Sequence, residues 1–357
     1  TDGSWMDGTN WVGDAAPIAA TDSISFSGII NTSTTNDFAP LTSFLGISFT
    51  NDGAVGTQDA AFTLAGASIT LGGDITTTAM TTGTLEDIIS LDLILDANRT
   101  VTALTDHDLR IDGNISGLFT LLIGNGDNVN DEALVTLSGT NTHTQTTLRR
   151  LANVRIESNT ALGNAAVFQR QGDLTLVNGI DLTADGGITF TNSNQQQNIF
   201  LDDGAATSIN ALTELTLNNV GTANNRRVQL QIGENDTLTI DGLIQSSNSN
   251  ADKILRKLGA GTVILTAANT FDGQLQANLG TIQLNNALAA QSASVTNNAG
   301  TVVFDSSVGG NAFTFGAMNG GGNLVLENND GSPAAIALTI GGHAANRSHS
   351  GDISGAG

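Results

Sequence analysis

Leu238-Thr239-Ile240-Asp241-Gly242-Leu243-Ile244 is the stretch on which the reading of the fold turns. Two apolar residues flank a polar one, a short turn of aspartate and glycine follows, and apolar residues resume. Alternation with period 2 marks a strand with one buried face, and the Asp-Gly pair marks a turn. The same phrase stands at Ile69-Thr70-Leu71-Gly72-Gly73-Asp74-Ile75 and at Leu109-Arg110-Ile111-Asp112-Gly113-Asn114-Ile115, with a weaker copy at Leu338-Thr339-Ile340-Gly341-Gly342. Each copy predicts strand, tight turn, strand.

The alternation continues on either side of these phrases. It recurs at Leu91, Leu93 and Leu95, at Leu174 and Leu176, at Val228, Leu230 and Ile232, and at Ile282 and Leu284. Gly, Asn, Asp or Ser bounds each run. Leu85-Glu86-Asp87-Ile88-Ile89 alone has a helical look. A longer module also repeats. Val135-Thr136-Leu137 through Asn141-Thr142 matches Val263-Ile264-Leu265 through Asn269-Thr270, an offset of 265 − 137 = 128 residues. Hairpin signatures such as Asn-Gly are too few for a sandwich. Short, evenly spaced strands with internal repeats predict an all-β, parallel β-helix, or β-solenoid. At roughly 20–25 residues per coil, about 15 coils stack about 4.8 Å apart into about 70 Å. The expected organisation is an N-terminal cap and first coil over residues 1–30, then a continuous β-helix over 31–357. Repeat modules lie near 109–165 and 238–290, with a truncated third at 351–357.

Composition agrees. Of 357 residues, 46 are Thr and 37 Asn, residues that suit the solvent face of strands and the turns between them. Asn at turns is expected to form ladders from coil to coil. There is no Cys, which excludes disulfide scaffolds and Cys-ligated metals. The net charge of −22 with only 12 Lys and Arg argues against a nucleic-acid partner. No apolar run reaches the length of a membrane helix. Thr1 in the place of an initiator Met fits removal of a signal peptide. Scarce Lys, abundant Thr and Asn, and acidity point to the exterior of a cell.

The second module runs Lys257-Leu258-Gly259-Ala260-Gly261-Thr262-Val263-Ile264-Leu265, then Asn269-Thr270-Phe271-Asp272-Gly273, then Gly280-Thr281-Ile282-Gln283-Leu284. Over these 28 residues the chain resembles the autotransporter-associated β-strand repeat. The first module is a degenerate copy, with His143 at the aromatic position. The resemblance implies a right-handed parallel β-helix, export, and a place on or outside the cell. It names no substrate.

Candidate sites follow from scarce residue types. Trp5 and Trp11, the two tryptophans, are read as an N-terminal cap, with a carbohydrate-stacking platform as the rival. Lys253, Arg256 and Lys257 concentrate positive charge in a chain short of it. They are read either as a solvated edge or as a contact for another copy of the chain. Asp202-Asp203 resembles a glycosidase acid pair but reads better as a solvated turn. Asn125 to Glu132 reads as a polar loop, and second as a Ca²⁺ site. His107, His143, His343 and His349 read as surface histidines, and no nucleophile completes a triad. Asn31, Asn98, Asn114, Asn235 and Asn346 open Asn-x-Ser/Thr triplets that such a composition produces by chance.

These readings favour a non-catalytic extracellular structural protein that needs no cofactor. It would self-associate head-to-tail into a fibre or serve as an adhesive stalk. The rival is a carbohydrate-active or carbohydrate-binding β-helix acting on cell-surface or extracellular polysaccharide.

Overall fold

The computed structural model describes residues 3–50, 60–80, 83–126, 133–169, 171–191, 196–202, 204–218, 227–246, 253–343 and 347–356. Strands make up 47% of it, and the fold is a parallel β-solenoid. The chain divides into two compact units, Thr1–Val167 and Phe168–Gly357.

In the first unit three parallel sheets wrap a core. The long sheet holds Ser33–Asn36, Thr63–Gly66, Leu85–Ile89, His107–Ile111, Leu134–Leu137 and Ala152–Ile156. A second holds Ile24–Phe26, Ile47–Phe49, Ile75–Thr77, Arg99–Thr102, Thr120–Ile123 and Gln145–Leu148, and a third Thr42–Phe44, Ile69–Leu71, Leu93–Leu95 and Ile115–Ser116. Successive coils bring Thr42 beside Ile69, Ile69 beside Leu93, and Leu93 beside Ile115. The coil length is therefore 27, 24 and 22 residues in turn. The inward side chains stack in register, as in Ile111–Leu137–Ile156, all shielded from solvent. Each such side chain contributes about 1.5–3 kcal/mol through burial.

In the second unit the long sheet runs from Gly172–Leu176 through Gln196–Leu201, Arg227–Gln231, Ile254–Leu258, Gln274–Ala277, Ala290–Asn297 and Ala312–Asn319 to Ala337–Ile340. A six-stranded sheet from Asp181–Leu182 to Thr301–Phe304 follows it in the coils up to Ala290–Asn297, and Ile188–Phe190, Leu215–Leu217 and Ile244–Gln245 form a third side in the earlier coils. Leu238, Val263, Ile282 and Val302 build one aliphatic stack, and Ile240, Leu265 and Leu284 the next, which Phe304 continues.

Leu85–Ile89 is a strand, not a helix. Its alternation is hidden because the inward position between Leu85 and Ile89 is Asp87, a charged residue where an apolar one is expected. The repeated phrase has a steric cause. A Cβ on Gly73 would stand 1.4 Å from the carbonyl oxygen of Leu45, on Gly113 2.0 Å from that of Leu91, and on Gly242 1.8 Å from that of Thr213. The turn thus lies flat on the backbone of the preceding coil, and only glycine allows that approach.

Candidate functional site

Several buried polar groups of this solenoid tie one coil to the next. Asn141 and Asn269, equivalent in the repeat, are both buried. The Asn269 carbonyl oxygen accepts from the Ile244 N–H at 2.8 Å, and its amide donates to the Ala289 carbonyl at 3.0 Å. Asn141 accepts from Ile115 N–H at 2.8 Å and donates to Ala161 at 2.6 Å. One side chain therefore joins its own coil to the coil before and the coil after. This corrects the expected ladder at these two positions: the asparagines bind backbone, not one another.

A second tie is ionic. His107 Nε2 lies 2.6 Å from Asp87 Oδ2, and Nδ1 lies 2.7 Å from the Thr78 carbonyl. The other carboxylate oxygen of Asp87 accepts from the Phe62 N–H at 2.7 Å. Both ring nitrogens face acceptors, an arrangement that suits imidazolium. Burial opposes the charge. The Asp87 hydrogen bond, the Thr78 carbonyl and the charges of Asp87 and Asp108 outweigh it and hold the pKa above the ordinary histidine value.

His143 is buried as well, so neither it nor His107 is a surface histidine. The ring of His143 occupies the position of Phe271 in the other module, which is why an aromatic shape suffices there. Burial drives its pKa down to about 4. Nε2 meets Thr146 Oγ1 at 2.7 Å. His343 and His349 are half-buried, and His343 Nε2 donates to the Asp272 carbonyl at 2.9 Å.

The basic cluster also departs from expectation. Lys253 is 0% and Lys257 1% exposed, so only Arg256 remains on the outer face. The phase of the strand explains this, because residues 253, 255 and 257 all point inward. Lys253 reaches Asp272 at 3.4 Å. Lys257 takes no carboxylate among the described residues. Its ammonium donates to the carbonyls of Leu258 at 2.9 Å, Gly259 at 2.8 Å and Leu279 at 3.4 Å. A Cβ on Gly280 would sit 2.7 Å from that nitrogen. Lysine, Gly259 and Gly280 thus form one device, and it accounts for the Lys-x-Gly and Gly-Thr-Ile spacing of the module.

Burial pushes the Lys257 pKa down to about 8, and that of Lys253 downward too, against the pull of Asp272. An unfolded chain therefore holds more protons than the folded one between about pH 8 and the ordinary lysine value of 10.5. By linkage, stability rises with pH across that window, by at most roughly 3 kcal/mol for Lys257. Denaturation midpoints of the second unit measured through the window are expected to show the rise, and Lys257→Met is expected to flatten it. A stability that falls with alkalinity in the unsubstituted chain would contradict this account.

On the exterior, Arg110 bridges Asp112 at 2.6 Å and Glu157 at 2.7 Å, and Arg155 joins Glu157 at 2.9 Å. Asp202 sits in a turn closed by the Ala205 N–H on its carbonyl at 3.1 Å, while Asp203 lies outside the described residues. So do Asp127 to Glu132 of the oxygen-rich run. Among the described residues no three His, Asp or Glu side chains converge as metal ligands. No helix there is long and apolar enough to cross a membrane.

The two tryptophans lie together at the start of the first unit. Trp5 is buried among Phe26 and Phe44, each 5.9 Å away between ring centres, with its N–H on Thr34 Oγ1 at 3.0 Å. Trp11 packs edge-on against Trp5 at 6.4 Å and is half-buried. Beside them opens a groove of about 650 Å³.

No family model, no curated protein and no solved structure matches this chain.

Proposed function

We propose that the chain is a non-catalytic, extracellular structural protein, a β-solenoid that serves as an adhesive stalk or joins other copies into a fibre. The observation that carries this reading is the use of its buried polar groups. Asn141, Asn269, Asp87 with His107, and Lys253 with Asp272 each bind groups in neighbouring coils. Such ties resist shear between coils, which is what a stalk under load requires. The resemblance of residues 257–284 to autotransporter-associated repeats supports export and a surface location.

The cap forms part of the proposal. Gly3 and Trp5 occupy the outer edge of strand Ser33–Asn36 through Trp5 N–H to Thr35 O at 3.0 Å and Thr35 N–H to Gly3 O at 2.9 Å. Ala337–Ile340 pairs with Ala312–Asn319, is largely exposed, and pairs with no further strand among the described residues. An open parallel edge is a template for another chain, and a head-to-tail contact of this kind propagates into filaments. Electron microscopy across dilution and added salt tests the fibre. Particles longer than one chain that persist on dilution are expected if copies join. Single short particles at every concentration would end the fibre reading and leave the stalk.

A further inference from the structure

We infer that the groove beside Trp11 binds a neutral oligosaccharide, stacked on the exposed face of that indole. The inference rests on the adhesive form of the proposal above and gives the stalk its ligand class. The indole N–H of Trp11 is committed to the Trp5 carbonyl at 2.8 Å. With that polar edge engaged, the part of the half-buried ring that lines the groove is carbon. Phe26, 5.9 Å away between ring centres and tilted to it, also lines the groove and adds to an aromatic floor. A residue serving only to close the core would be expected to bury its whole ring, as Trp5 does.

The walls identify the ligand. Eight Ser, Thr and Asn residues line the groove, among them Asn10, Ser25 and Asn31; Val12 and Ile30 add exposed aliphatic surface, and Asp22 is the one charged lining residue. Asp22 is itself engaged by its own loop, accepting from the Ile18 N–H at 2.8 Å and from Thr21 Oγ1 at 3.2 Å. No Lys or Arg occurs before Arg99, so the groove stands in an acidic region of the chain. Phosphorylated, sulfated and uronic ligands are repelled there. Hydroxyls and amides around an aromatic floor match a ligand with apolar ring faces and a hydroxyl periphery, and the volume falls within the range of small-ligand sites.

Trp5 and Trp11 are the two tryptophans and the chain has no Tyr, so intrinsic fluorescence reports on this groove directly. The full chain would be titrated with neutral gluco-, manno- and chito-oligosaccharides, with an oligogalacturonate as the anionic comparison and an extended peptide library as the competing class. A saturable emission change, with Trp11 protected from acrylamide by a neutral sugar, is the expected result. Trp11→Leu should weaken binding at least about tenfold, the loss of one stacking contact. Ser25→Phe, at an exposed strand position lining the groove, should block binding while leaving the melting temperature unchanged, and it keeps the test valid if Trp11→Leu unfolds. The inference is overturned if no neutral sugar moves the emission at millimolar concentration, if the galacturonate or a peptide binds instead, or if Ser25→Phe binds as well as the parent. Particle length in the microscope is read separately, so failure here leaves the stalk itself standing.

Discussion

Replacement of His107 by leucine is expected to cost about 3–5 kcal/mol, because it strands the Asp87 carboxylate in the core without its partner. The Phe62 N–H still reaches Asp87, but one hydrogen bond does not compensate a buried charge. The paired replacement of Asp87 and His107 by leucine should recover much of that loss, since exchanging a whole buried ion pair for apolar residues is often close to neutral. It still leaves the Phe62 N–H and the Thr78 carbonyl without these partners. Urea denaturation of the three variants measures the cycle. The pH profile provides a second readout. A histidine whose folded pKa is raised stabilises fully below its unfolded value near 6.5, and the contribution fades as pH climbs through the folded value. The gap between parent and double variant should narrow over that rise. A double variant as unstable as His107→Leu, or a gap that widens with pH, would contradict the ionic assignment.

Asn269→Leu is expected to be of similar severity. The substitution removes both partners of a buried N–H on Ile244 and a buried carbonyl on Ala289, at about 1–3 kcal/mol each. Asn269→Asp separates the two. It keeps the acceptor for Ile244 and loses the donor for Ala289, while burying a charge, so it should be no better than leucine at neutral pH and recover in acid. Amide hydrogen exchange at Ile244 offers a local measure: fast in Asn269→Leu, slow in the parent. Equal exchange in both would show that the bridge contributes nothing to holding the coils. Asn141→Leu should act in the same way on Ile115 in the first unit.

The parallel β-solenoid was legible in the sequence because each coil repeats a period-2 pattern and a glycine turn. Leu238 to Ile244 shows both, and Gly242 explains itself once the Thr213 carbonyl is found beneath it. Less legible was where each phrase falls. Leu109–Ile111 belongs to the long sheet of its unit, whereas Leu238–Ile240 belongs to the sheet that follows the long one. The phrase encodes a corner between two strands and is indifferent to which two. The ties were harder to see. Asp87, His107, Lys253 and Lys257 carry residue types that sequence alone assigns to solvent. Only strand phase turns them inward, and at Asp87 the polar residue itself erased the alternation that would have revealed the phase. Trp5 and Trp11 were singled out by rarity, but only their geometry separates a closed ring from an open one.

The burial of Lys253 and Lys257 also governs how the molecule can be handled. They are the chain's two lysines, so a folded chain withholds every ε-amine from succinimidyl dyes, aldehyde fixatives and amine-coupled sensor surfaces. Acylation at these two positions therefore reports opening of the second unit rather than its surface, and a dye that enters slowly there times how often the coils part.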